Sequence, residues 1–133
     1  LPLIPEARET VEELARRWPL GLASSSNREL IDAVLELSGL APFFRATVSS
    51  EEVARGKPAP DVYLEVARRL GVAPERCVAI EDSHAGIRSA KAAGMRVIAV
   101  PNPTYPPDPA SLAEAHIVLA DLSEVRSCIG TSA

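Results

Sequence analysis

Glu81 and Asp82 are adjacent acids at the end of the run Cys77-Val78-Ala79-Ile80, and Ser83, Ala85 and Gly86 follow in a pattern that turns helical. Read physically, this is a buried strand that ends in acid and passes at once into a helix. Two neighbouring carboxylates at the edge of a core repel each other and lose hydration, so they need a cation, a lysine or several N–H donors in compensation. Magnesium suits such a pair, because it takes one or two protein carboxylates and completes its shell with water and substrate phosphate. The competing reading is a solvated acidic turn that caps the next helix. A second cluster, Ser24-Ser25-Ser26-Asn27, follows the apolar run Leu20–Ala23 and precedes a helical pattern. Hydroxyls and free backbone N–H groups at a helix start make a phosphate cradle, although capping by Ser26 and Asn27 explains part of the same run. Lys57 is held between Gly56 and Pro58. A loop lysine is ordinarily a solvated charge, but at an acidic edge it would balance carboxylates and bind phosphoryl oxygens. His84 reads as a polar helix-start residue near the acids, and His116 as a surface or strand-edge residue.

These groups need elements to hold them. Val11, Leu14, Ala15 and Trp18 recur with helical spacing, with acids ahead of them and Arg16 and Arg17 behind, and Pro19 stops the helix. Leu1 to Pro5 reads as extended. Ser26 with Glu29 forms a capping box for a helix carrying Leu30, Ile31, Val34 and Leu37 and ending at Gly39. Phe43-Phe44 packs beneath a loop. Pro60 opens a helix with the stripe Tyr63, Val66, Ala67 and Leu70. Ile87, Ala90, Lys91 and Gly94 give the next helix a small-residue face. Five of the 12 prolines fall between Pro101 and Pro109, a stiff loop. Strands are expected near 20–23, 46–49, 78–81, 96–100 and 117–119, with a last helix over Leu122–Cys128 and a frayed tail. The strands are continuous apolar runs that alternate with helices. That implies parallel strands buried on both faces, a Rossmann-like doubly wound α/β sheet in one domain over 1–133. In such folds the ligand crevice lies outside the carboxyl ends of the strands, and there the serines and acids collect.

Composition narrows the function classes. Hydrophobic residues make up 47% and charged residues 24% of 133, with a net charge of -4, the balance of a soluble globular domain. No lysine/arginine block or aromatic-basic stripe offers a nucleic-acid footprint. No apolar run approaches a membrane span and no signal-peptide pattern opens the chain. Cys77 and Cys128 lie far apart, with Cys77 a core thiol, so a reducing cytoplasm is expected. No dinucleotide fingerprint, Walker loop or nucleophile elbow is present. A response-regulator receiver would carry its acids before its Ser/Thr and Lys; here the order is Ser, Lys, then acids.

In that order and spacing, Leu20 to Ser24, Gly56-Lys57-Pro58-Ala59-Pro60-Asp61 and Val78 to Gly86 resemble three of the four motifs of the haloacid dehalogenase-like superfamily, nearest its phosphatase and β-phosphoglucomutase branch. The resemblance extends from about Pro5 to about Val125. It implies that Ser24, with Ser25, Ser26 and Asn27, binds phosphate, that Lys57 steadies nucleophile and phosphate, and that Asp82 and Glu81 serve Mg2+. It further implies a phosphohydrolase working on a small phosphorylated metabolite through an aspartyl-phosphate, or a phosphosugar mutase. A non-catalytic binding domain of the same fold is the remaining alternative.

The family's first motif, Asp-x-Asp, occurs nowhere in the chain. It supplies the nucleophile and the acid/base, and the small helical cap that usually follows it is absent too. The chain therefore reads as the later part of such an enzyme, itself inactive. By resemblance the missing strand belongs between the one ending at Ser24 and the one ending at Asp82. Either a gap is expected there, filled by the missing segment or another copy of the chain, or a rearranged sheet, because two exposed edges invite pairing.

Overall fold

The apolar runs form short parallel strands. A computed structural model describes residues 5–102, 104 and 106–130. The order is α1 (Pro5–Arg17), β1 (Gly21–Ser24), α2 (Arg28–Ser38), β2 (Ala46–Ser49), α3 (Asp61–Leu70), β3 (Val78–Glu81), α4 (His84–Ala92), β4 (Arg96–Ala99), α5 (Pro109–Leu112), β5 (Ile117–Val118) and α6 (Glu124–Gly130). β1 pairs with β2, β3 with β4 and β4 with β5, all in parallel. They make two sheets, β1-β2 and β3-β4-β5. Among the described residues no strand joins β1 to β3, so the sheet is interrupted where the sequence implied a missing central strand.

Packing holds the two sheets together where backbone bonds do not. On one face Val62, Tyr63, Val66 and Ala67 of α3 and Ile87 and Ala90 of α4 close over Val48, Ala79, Val97 and Ala99, in a single apolar cluster that touches both sheets. α3 lies so near β1 that a Cβ on Gly21 would stand 3.1 Å from Val66 and Leu70. On the other face Leu14 of α1 and Val125 of α6 cover Ile98, with Trp18, Leu20 and Ile80 beside them. α2 buries Ile31 and Leu35 against Leu40, Phe43, Phe44 and Leu22. The result is a three-layer α/β/α domain.

Several local expectations shift. Asn27, not Ser26, caps α2: its side chain accepts the Leu30 N–H at 2.8 Å, and Glu29 forms no box with Ser26. The helix therefore starts one residue later, and it meets the core through Ile31 and Leu35. Leu35 is buried, while Leu37 is 88% exposed and Leu30 also faces outward. In α4 the buried face is Gly86, Ile87, Ser89 and Ala90; Lys91 is exposed, and Gly94 lies beyond the helix in a left-handed turn. The proline-rich stretch ends in α5, because Asp108 accepts the Ser111 N–H and Pro109 opens the turn. Pro5 opens α1. The extended start over 1–4 and the frayed tail over 131–133 lie outside the described residues.

Candidate active site

Lys57 closes the gap between the sheets at the carboxyl ends of their strands. Its Nζ donates to the Ala23 carbonyl at 3.2 Å and to Glu81 Oε2 at 2.6 Å. Both side chains of this pair are nearly buried, 10% and 7% exposed. Tyr63, one turn into α3, donates its hydroxyl to the same Oε2, and the Lys57 ammonium stands 5.2 Å from its ring centroid. Gly86 makes room on the other side: a Cβ there would lie 1.8 Å from Glu81 Oε1. The loop is tied down by Ser89, fully buried in α4, which donates to the Ala59 carbonyl at 2.6 Å. The acidic pair of the sequence is thus divided. Glu81 faces inward and is compensated by a lysine and a phenol, while Asp82 is exposed beyond the strand. The next helix is capped by Ser83, which accepts the Gly86 N–H at 3.1 Å.

The turn after β1 is held from β2. Ser49 and Ser50 donate to the Ser26 and Ser25 carbonyls at 2.7 and 3.0 Å. Ser24 is half-buried, and its Oγ accepts the Ser26 N–H at 3.1 Å. Asn27 is spent on capping, and Glu51 takes the Arg28 N–H at 2.8 Å. The start of α2 therefore attracts anions, and a protein carboxylate already uses one of its donors. Glu52 receives the Ser49 N–H and lies between Arg69 and Arg28. That N–H, then the guanidinium of Arg69, holds its carboxyl below the usual range. This cluster fixes β2 and α2 rather than offering chemistry.

The structure thus brings the β1 end, Lys57 and the Glu81-Asp82 end of β3 to one edge. His84 turns away, with its ring meeting Ser111 and lying 3.9 Å from Asp108. His116 sits exposed at the start of β5, where its Nδ1 accepts the Val97 N–H. Among the described residues no group of three His, Cys, Asp or Glu encloses a metal. The open carboxylate of Asp82 still suits magnesium, which needs only one or two protein oxygens and keeps its waters. Glu81 stands beside it, committed to Lys57. Sequence reasoning placed Tyr63 in an apolar stripe and missed its role. The available signal was a hydroxyl on a buried helical face opposite a strand that ends in acid, since buried phenols seek acceptors.

Burial, then the negative charge of Glu81, pushes the Tyr63 phenol well above its ordinary value. A tyrosine raised in the folded state resists ionisation there but not in the unfolded chain. Its contribution is therefore intact below about pH 10 and is lost as pH rises beyond it. Tyr63→Phe is expected to lower stability by about 1.5–3 kcal/mol near pH 8, the range for a hydrogen bond to a charged acceptor. The gap from the parent chain should narrow above pH 10. Urea midpoints at the two pH values check this, and a gap that does not change with pH contradicts it.

The family model for haloacid dehalogenase-like hydrolase matches residues 1–94, a stretch that holds Ser24, Lys57, Glu81 and Asp82. Hexitol phosphatase B of Escherichia coli strain K12 is 42% identical over 127 residues, covering 95% of this chain and 57% of the relative. Fructose-1-phosphate phosphatase YqaB of the same strain is 38% identical over 100 residues, covering 75% of this chain and 51% of its own length. The chain thus spans little more than half of these curated relatives. A crystal structure of a HAD family hydrolase from Deinococcus radiodurans R1, with bound phosphate and sodium, superposes with a TM-score of 0.82 at 33% identity, covering 97% of this chain and 59% of that one. The interrupted parallel sheet, the lysine clasp at its carboxyl edge and these likenesses agree: the chain belongs to the haloacid dehalogenase-like hydrolases.

Proposed function

We propose that this chain forms the phosphate- and magnesium-binding wall of a phosphohydrolase acting on a small phosphorylated sugar or sugar alcohol. The carrying observation is the Lys57 Nζ, bonded at once to the end of β1 and to Glu81 of β3. It places a cation between a serine-rich turn and an open aspartate. A neighbour from Deinococcus with bound phosphate and sodium supports a fold that takes an oxyanion and a cation, and two relatives named as phosphatases of a hexitol and of fructose 1-phosphate support the substrate class.

In this reading Ser24, with the hydroxyls of Ser25 and Ser26 and the backbone of the turn through Asn27, binds the phosphoryl group. Lys57 offsets the negative charge that grows on it. Asp82 would hold magnesium, with Glu81 behind it fixing Lys57. The ion when bound supplies Lewis-acid stabilisation of the phosphoryl oxygens. The attacking carboxylate, which would form an aspartyl-phosphate that water then hydrolyses, stands outside residues 1–133.

Two measurements test this. Purified Leu1–Ala133 is expected to release no phosphate from hexose or hexitol phosphates, with or without magnesium, because its groups only bind and position. Magnesium-dependent turnover by this chain alone overturns that. A longer protein that carries the chain should release inorganic phosphate, and chelation should stop it; an isomerised sugar phosphate as the product would make it a mutase instead. In that protein Asp82→Asn should weaken magnesium binding by roughly ten- to hundredfold, with turnover falling and thermal melting unchanged. Unaltered activity removes Asp82 from the site.

A further inference from the structure

A second concave surface lies at the opposite end of β1, where Leu20 leads into β1 and Arg45 into β2, joined by the Arg45 N–H to the Leu20 carbonyl at 2.8 Å. It is a groove of about 440 Å³ between the end of α1 and the turn at Phe43, within the range of small-molecule sites. Trp18, Leu20 and Phe43 supply apolar walls, and Arg16, Arg17 and Arg45 line it as well. Among the described residues Arg8, Arg28, Arg55, Arg68, Arg69 and Arg88 pair with acids, while Arg76 and Arg96, both exposed, do not; the groove is where unpaired arginines gather. Among the described residues the three groove arginines form no such pair, although the chain carries a net charge of -4. Glu12, the acid in the lining, is engaged with Arg8 at 3.2 Å. The Arg17 guanidinium stands 5.1 Å from the centroid of the Trp18 ring.

We propose that this groove binds a small aromatic anion, a flat ring carrying a phosphate or a carboxylate. Unneutralised guanidiniums recognise those planar or forked oxyanions through paired charge-assisted hydrogen bonds. The indole and phenyl walls favour a stacking ring over a bare ion. The site is separate from the catalytic edge, since it lies at the amino ends of the strands and Ser24 and Asp82 lie at the carboxyl ends.

Trp18 is the chain's only tryptophan, so its fluorescence reports occupancy directly. The chain is titrated with phenylphosphonate, benzoate, inorganic phosphate and benzyl alcohol. Saturable quenching is expected from phenylphosphonate or benzoate, about tenfold tighter than from inorganic phosphate or benzyl alcohol, since ring and anion each contribute. Arg45→Gln and Arg16→Gln should each weaken binding by about tenfold, and Ser24→Ala should leave it unchanged. Phenylphosphonate or benzoate tells which oxyanion is preferred. Equal affinity for inorganic phosphate reduces the groove to an anion patch and overturns the proposal. So does quenching lost with Ser24→Ala but kept with Arg45→Gln, which moves the ligand to the catalytic edge. An absence of quenching, or a Trp18 signal that changes with protein concentration alone because a second copy covers the groove, overturns it equally.

Discussion

Lys57→Met is expected to destabilise the chain by about 3–5 kcal/mol, the cost of leaving one member of a buried ion pair without its partner. Such a loss is a large share of the stability of an ordinary domain. Burial sets the size of this loss. Glu81 is 7% exposed and its Oε2 receives Lys57 and Tyr63, so water cannot replace the ammonium without opening the core. The same substitution also removes the bond from Nζ to Ala23, so the end of β1 loses its tie to the end of β3. Pairing Lys57→Met with Glu81→Gln should restore most of the stability, because the uncompensated charge is gone. It should not restore phosphate release in a longer protein that has the proposed activity, where, if Lys57 meets the phosphoryl group as proposed, loss of its charge is expected to cost roughly 10²–10³ in turnover. Urea unfolding and phosphate-release assays on the single and double variants separate the two roles. A shift below about 1 kcal/mol for Lys57→Met would mean a pair screened as on a surface.

The same cluster shows what the sequence discloses and what it hides. Parallel strands were legible because Val78-Ala79-Ile80 and Val97-Ile98-Ala99 are unbroken apolar runs followed by polar turns, a local pattern. The interruption between β1 and β3 was legible only through the order of three motifs and the missing fourth. What escaped was set by geometry across elements. Nothing near Glu81 in sequence tells which neighbouring acid turns inward; that is decided by Lys57, 24 residues earlier, and by the phenol of Tyr63. The α2 cap escaped because Ser26 and Asn27 are both good caps. The choice is settled by Ser49, which takes the Ser26 carbonyl. Leu37 illustrates the converse: its spacing fits the apolar stripe, but the helix meets the core through Ile31 and Leu35.

Gly86→Ala should be nearly as damaging as the loss of Lys57, although it adds a single methyl group and suits a helix. Gly86 lies inside α4 without the positive φ found at Gly39, Gly71 and Gly94, so backbone freedom does not explain the glycine. Space does: the new Cβ would stand 1.8 Å from Glu81 Oε1 and 2.1 Å from its Cδ. A small adjustment cannot relieve this, because the carboxylate is held on its other side by Lys57 and Tyr63. Either α4 lifts from the sheet or Glu81 gives up its partners, and the expected loss is about 3 kcal/mol or more. The decisive comparison places Gly86→Ala in a Glu81→Ala background. There the obstacle is absent, and alanine should be neutral or stabilising by up to about 1 kcal/mol, its advantage over glycine in a helix. A coupling of several kcal/mol between the two positions in urea unfolding is therefore predicted. Equal cost in both backgrounds would place the strain in the backbone of α4 instead. Gly86 thus acts through Glu81 on Lys57: a missing side chain on one helix keeps the cation of the site aimed across the gap between the sheets.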